Sequence, residues 1–443
     1  MRKDGFSSQI GALMAIIGSA VGLGNLWKFP YIAGKNGGAT FIFLYIGFMI
    51  ILCLPLMLSE LVIGRRAGLD AAGSFKKLAP NTKWYITGLI GVVTAFTILS
   101  FYSVVGGWTI EYLISSLTFK TEDSNAQAHF TDFIQSPIRP LFLHLSFIVL
   151  TAAVLWTGVK NGIEKFSKYL MPLLFLMILG LAIFSLSLPN AMLGVEFLLK
   201  PNFADLSPGL ILDALGQGLF SLSLGMGTII TYSAYIDKKE NLVQIAVITI
   251  VMDLIFALLA SLVILPAVFS FGFQPNEGPG LLFITLPQIF LQMPFGSYFA
   301  IVFFSVLFIA ALSSSISLLE VIVAYMCRAT KLSRKKNILI IVSALSFTGA
   351  ICSLSLGPLA NFKIFGNSIF DFFDILSSTY LMPLGALLIS LFLGWKMKKT
   401  DVYDELSNSG SLVLPLFNMF IFLVRYFVPL AIILIFLNKL QVF

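Results

Sequence analysis

The chain has 443 residues, 58% of them hydrophobic and 11% charged, with 43 Phe and a formal net charge of +7, and its mean hydropathy is +0.96. That composition excludes a soluble domain and leaves a polytopic membrane protein, because each bilayer crossing takes roughly 20 apolar residues. The three cysteines, Cys53, Cys327 and Cys352, are scattered, which excludes a disulfide framework or thiolate metal cluster.

Apolar segments fall near residues 9–33, 40–63, 84–118, 140–158, 168–188, 209–235, 241–272, 294–327, 337–357, 368–394 and 412–438, so eleven spans are expected. Met1 to Ser8 is short and charged and runs straight into the first apolar segment, so no cleavable signal is expected. With Met1 inside, twenty of the 28 basic residues fall in inner loops and five (Lys120, Arg139, Lys200, Lys363 and Lys439) in outer ones. Lys and Arg collect on cytoplasmic loops. The basic surplus is therefore topological, no nucleic-acid partner is implied, and the N-terminus is expected in the cytoplasm with the C-terminus outside.

The first span carries GSAVGLGNLWKFPYIAGKNGG, residues 18–38, with Gly18, Gly22, Gly24, Asn25 and Lys28 at membrane depth. Every backbone N–H and C=O in a bilayer must find a partner within the protein. Glycines alone would be read as close helix packing. With Asn25 and Lys28 beside them, they point instead to backbone opened around a polar guest, since polar groups at depth usually face a cavity.

Span six carries a second such cluster, Gly225-Met226-Gly227 within GQGLFSLSLGMGTIITYSAY. Corresponding interruptions five spans apart predict two inverted halves with a site between broken helices. The expected fold is thus all-α and polytopic, one transmembrane transport domain over 1–443. Repeat one covers about 9–188 and repeat two about 209–394, with an extra helix near 412–438. Enzymes are disfavoured: the only histidines are His129 and His144, and there is no phosphate loop or HExxH motif.

These two stretches, with SFYSVVGGW in span three, AALSSSIS in span eight and DFFD in span ten, follow the order and spacing of the neurotransmitter:sodium symporter family. Over roughly residues 3–395 the sequence resembles that family's bacterial, LeuT-like, sodium-coupled amino-acid transporters. The resemblance implies two sodium ions. The first would be held by the Ala20 carbonyl, Asn25, Ser221, Asp253 and the substrate carboxylate. The second would be held by carbonyls of Gly18, Val21 and Ala310 and hydroxyls of Ser313 and Ser314. Taken alone, the Ser313–Ser315 run reads as hydroxyls bonding their own helix; beside the broken helices it reads as ion ligands. Asp253 departs from the many members that have a neutral residue there and use chloride, so chloride-independent transport is expected. The alternative is an Asp held by neighbouring hydroxyls for structure.

For substrate, the resemblance maps carboxylate contacts onto Gly22, Leu23, Gly24 and the Tyr102 hydroxyl, and Gly22 leaves room that monoamine-carrying relatives fill with Asp. The side chain would lie among Ile98, Phe220, Ser223, Met226, Ser314 and Leu318, lined further by Ala20 and Ser221. Adaptable Met226 favours a large hydrophobic, aromatic L-amino acid. Lys28, Asp374 and Phe220 take the family's outer-gate positions, and Lys gives up the bidentate fork of the usual Arg. At the inner gate the candidates are Arg2 or Lys3 with Phe6, but the expected acid position holds Arg328. Gly162 and Pro172 match a motif that lets span five unwind, and Glu60 takes the position that braces the interrupted backbone. The expected protein is a plasma-membrane (inner-membrane) symporter, monomer or homodimer, with no chloride requirement. A proton-coupled carrier of the same architecture is the nearer rival, and a channel or a non-transporting sensor the more distant ones.

Overall fold

The computed structural model describes residues 5–117, 125–274 and 280–439. Helices α1 (Gln9–Ala20) and α2 (Gly24–Lys35) form a pair bent by 46°. They are followed by α3 (Ala39–Ala67), α4 (Ala71–Leu78) and α5 (Tyr85–Ser116). After α6 (Ala126–Gln135) come the long helices α7 (Arg139–Trp156) and α8 (Val159–Leu186), then the short α9 (Ala191–Leu199). The second half begins with α10 (Pro208–Ser221) and α11 (Thr228–Ser233), then α12 (Leu242–Ser270), α13 (Leu281–Gln292), α14 (Gly296–Thr330) and α15 (Arg334–Leu354). The chain closes with α16 (Ile369–Lys396), α17 (Lys399–Leu406) and α18 (Phe417–Asn438).

Among the described residues nine helices are long and apolar enough to cross a bilayer, or ten when α1 and α2 count as one span. The expected eleven are not reached by this measure. The segment expected as one span over 209–235 is two short helices, of 14 and 6 residues, separated by non-helical backbone.

α5 and α14 run through the middle of the bundle, with 78% and 72% of their most apolar windows buried against other helices. α8 and α7 are buried over only 33% and 39% of theirs. An apolar helix with most of its surface uncovered is stable only in hydrocarbon, so α7 and α8 form part of the bilayer-facing wall. The broken pairs α1/α2 and α10/α11 lie inside, where neighbouring helices can satisfy the opened backbone. This placement sets up the site.

Candidate functional site

The first break falls at Val21, in an extended conformation (φ −74°, ψ 104°), before the chain re-enters a helix at Gly24. The second spans Leu222–Gly227, where Ser223, Gly225 and Gly227 have φ of 54°, 82° and 80°. Left-handed backbone costs a glycine little and strains other residues, so the two glycines permit the break while Ser223 is held in it. Its hydroxyl donates to the Ser19 carbonyl at 2.9 Å, tying one break to the other. From α3, the buried Glu60 carboxylate accepts the Gly225 N–H at 2.7 Å. A Cβ on Gly225 would come 2.3 Å from the Met382 carbonyl, so glycine is also required for the close approach of α16.

Ala20, Gly22, Leu23, Gly24, Ile98, Tyr102, Phe220, Ser221, Ser223, Met226, Ser314 and Leu318 surround one cavity between the breaks. The structure thus brings together all twelve residues expected around the substrate. The space left is about 30 Å³, enough for a water or two. A guest much larger than water would enter only if these walls parted. At the polar end, the Leu23 N–H points to the Tyr102 hydroxyl at 3.4 Å. A Cβ on Gly22 would lie 2.2 Å from Ser314 Oγ, so a larger residue there would force the Ser314 hydroxyl to turn away.

Beside the cavity lies the decisive acid. Asp253 is fully buried on α12. Its carboxylate accepts from Asn25 Nδ2 at 2.8 Å, from Ser221 Oγ at 2.9 and 3.0 Å, and from the Tyr45 hydroxyl at 3.2 Å. Asn25 reaches Ser221 Oγ at 3.0 Å, and its Oδ1 accepts the Gly22 N–H at 3.1 Å. Among the described residues Asp253 is in no ion pair, and all three side chains bonded to it are neutral. A buried carboxylate without a cation is costly. This donor set, all hard oxygens and amide at a helix break, fits a small hard cation.

A sequence model of the sodium:neurotransmitter symporter family matches residues 3–136 and 124–443. The chain belongs to that family. An uncharacterised sodium-dependent transporter of Bacillus subtilis, YhdH, is 45% identical over 98% of this chain and 97% of its own length. A second uncharacterised sodium-dependent transporter, from Haemophilus influenzae, is 38% identical over 99% of this chain and 98% of its own. A crystal structure of MhsT in complex with L-phenylalanine superposes with a TM-score of 0.91 at 42% identity, covering 98% of this chain and 99% of that one. The protein is therefore a multi-pass, sodium-dependent membrane transporter with the all-helical LeuT-like fold.

In this symporter three of the five residues expected around a second sodium, Val21, Ala310 and Ser313, meet directly. The Ser313 hydroxyl donates to the Ala310 carbonyl at 2.9 Å and reaches the Val21 carbonyl at 3.4 Å, bridging α14 to the first break. Gly18 lies one turn earlier on α1, and Ser314 Oγ faces Gly22. Ser315 behaves differently, donating to the Leu312 carbonyl at 2.9 Å and sitting 3.0 Å from Thr151 Oγ1. Ser313 and Ser315 thus each bond a carbonyl of their own helix and also reach beyond it, Ser313 to the first break and Ser315 to α7.

Above the cavity, the Lys28 ammonium sits 4.4 Å from the centre of the Phe220 ring, a cation–π contact. Asp374 ends the short α-helical turn at the start of α16 and is half-buried. On the inner side, Arg2 and Lys3 lie outside the described residues. Phe6 packs edge-on against Tyr232 and Tyr235, with its N–H on the Tyr235 carbonyl at 3.2 Å. Arg328, standing where an acid was expected, pairs with Asp70, the N-cap of α4. A further acid on this side is Glu320, fully buried, which receives the Arg334 guanidinium and the Tyr235 hydroxyl, the latter at 2.7 Å. In the sequence Glu320 shows only as a lone acid in an apolar run, a position that is costly unless the charge is paired. Gly162 lies in a wide turn opening α8, and Pro172 lies inside that helix. A Cβ on Gly162 would meet the Val154 carbonyl at 2.1 Å, so the turn is packed onto α7.

Three further charges, outside the roles expected from the sequence, also find partners. Arg425 donates to the Gly394 carbonyl at 2.8 Å and lies 5.1 Å from the Trp395 ring. Asp371 accepts from Ser368 at 2.7 Å. Glu405 of α17 gathers Arg65 at 2.5 Å and Lys238 at 2.8 Å.

Proposed function

We propose that this transporter carries a hydrophobic, aromatic L-amino acid into the cell together with sodium, by alternating access and without chloride. The observation that carries the reading is Asp253, a fully buried carboxylate held by neutral partners only. Sodium enters as co-substrate, balanced by Asp253 and coordinated by the Ala20 carbonyl, Asn25, Ser221 and the substrate carboxylate. A second sodium takes the Gly18, Val21, Ala310, Ser313 and Ser314 oxygens. A fixed negative charge in the protein does the work that a chloride ion would otherwise do.

The amino acid's carboxylate lies against the N–H groups of the first break and the Tyr102 hydroxyl, where a helix start favours negative charge. Its side chain parts Ile98, Phe220, Met226 and Leu318. MhsT, 42% identical, has been crystallised with L-phenylalanine, which supports an aromatic guest here. Met226 offers a flexible wall to an aromatic ring. Lys28, Phe220 and Asp374 close the outer side, and the wide turn at Gly162 with Pro172 opens the inner one. The N-terminus lies in the cytoplasm and the C-terminus outside, by the distribution of Lys and Arg. Transport, rather than catalysis, is the whole of the activity.

The test is uptake of labelled Phe, Tyr, Trp and Leu into proteoliposomes under an inward sodium gradient, then potassium, with chloride and then gluconate. Concentrative, saturable uptake of the aromatic amino acids with sodium alone, indifferent to chloride, is expected. Equal uptake in potassium refutes sodium coupling, and a chloride requirement removes the role given to Asp253.

A further inference from the structure

Between α7, α8 and α14 the bilayer-facing wall is indented by a groove of about 710 Å³, open on its outer side. Its body is apolar, formed by Leu150, Phe166, Phe308 and Leu312. Its other end is polar: Thr157, Asn161 and Lys165, where α7 turns into α8. The exposed surface of that turn adds Lys160 and Lys168, and Lys335 lies alongside, 5.3 Å from the Trp156 ring at the end of α7. The one acid between 157 and 168 is Glu164. It is turned away from this face, 4% exposed, and bonded to Ser7 and Ser8 at 2.7 to 2.9 Å. The groove therefore presents acyl-sized apolar space capped by lysines with no acid among them.

We infer that this groove is a binding site for an anionic glycerophospholipid, its acyl chains along Leu150, Phe166 and Phe308 and its phosphodiester at Lys165, Asn161 and Thr157. Basic pockets between membrane helices on the cytoplasmic side take anionic head groups, and a Lys one turn above the interface extends its ammonium to the head-group level. The assignment of the leaflet, the cytoplasmic one, rests on the proposed orientation; the binding itself does not, and it is read without any transport measurement. The floor of the groove is Gly162 and Leu312, and Leu312 immediately precedes Ser313. A bound lipid thus fills the space behind the turn packed on α7. It favours the wound state of that turn, since a ligand shifts an equilibrium toward the state it binds better.

The full-length protein in detergent, titrated with dioleoyl phosphatidylglycerol and followed by native mass spectrometry, tests this. One lipid is expected to be retained in preference to dioleoyl phosphatidylcholine. Lys165→Gln is expected to weaken retention about five-fold, the contribution of one surface lysine. Ala153→Trp, which fills the groove, is expected to abolish it, and Lys83→Gln, an exposed lysine in the turn before α5, to leave it unchanged. Glycerol 3-phosphate, a head group without tails, is expected not to displace the lipid. Equal retention in wild type and Lys165→Gln overturns the proposal even if the Trp variant does not fold. So does equal loss in Lys83→Gln, which would mean general surface charge, or displacement by glycerol 3-phosphate, which would mean an ion site without acyl contacts.

Discussion

Replacing Asp253 by Asn removes one negative charge and keeps the Oδ1 acceptor of Asn25 Nδ2 and Ser221 Oγ, at 2.8 and 2.9 Å, while the amide nitrogen in place of Oδ2 no longer accepts from the Tyr45 hydroxyl at 3.2 Å. A cation about 4 Å from the carboxylate gains about 4 kcal/mol at an effective dielectric of ~20. Part of that is offset, because the buried carboxylate itself costs several kcal/mol of desolvation that the amide avoids. A net loss of about 2 kcal/mol corresponds to roughly 30-fold in the sodium concentration giving half-maximal uptake. The assay is the sodium dependence of labelled Phe uptake in proteoliposomes, run in chloride and in gluconate. In the variant, half-saturation moves up by about that factor and chloride stimulates uptake, whereas the wild type is indifferent to chloride. A sodium half-saturation within two-fold of wild type would refute the reasoning and leave Asp253 as a structural acid.

Gly22→Ala puts a Cβ 2.2 Å from Ser314 Oγ; Phe binding by scintillation proximity is expected to fall by roughly ten-fold or more, as overpacking costs about 1–3 kcal/mol. Glu60→Leu strands the Gly225 N–H inside the bundle, at a cost of about 1–3 kcal/mol, while Glu60→Gln keeps the acceptor; the melting midpoint should fall markedly only for Leu. Arg334→Ala leaves Glu320, 0% exposed, without its cation, and removing one partner of a buried pair costs about 3–5 kcal/mol. The double variant Arg334→Gln with Glu320→Gln should melt closer to wild type, and equal losses in both would count against the pair. Asn25→Ala should weaken sodium coupling, because Asn25 joins Asp253 and Ser221 at 2.8 and 3.0 Å; unaltered sodium dependence would count against it.

The sequence by itself determined the chemistry that depends on residue type in a short stretch. Gly225 and Gly227 mark a break because few other residues take left-handed backbone cheaply. Asp253 in an apolar run stands out because such charges are expensive there, and the alternation of basic loops is the pattern on which the proposed orientation rests. Twelve residues drawn from four spans were expected around one substrate, and the fold gathers those same twelve about one cavity. The tertiary structure alone decided which charge meets which. Arg65 and Glu405 lie 340 positions apart and Asp70 and Arg328 lie 258 apart, and no local pattern links them. Glu320 is a costly charge by sequence, but its Tyr235 partner is 85 positions away, and only the fold joins the two. Gly225 and Gly227 marked 209–235 as an interrupted span, but what holds its middle open is decided by distant contacts from Glu60 and Ser19. Hydropathy records how favourably a segment leaves water. Whether it remains one helix depends on which neighbours satisfy its opened backbone, and that is a property of the assembled bundle.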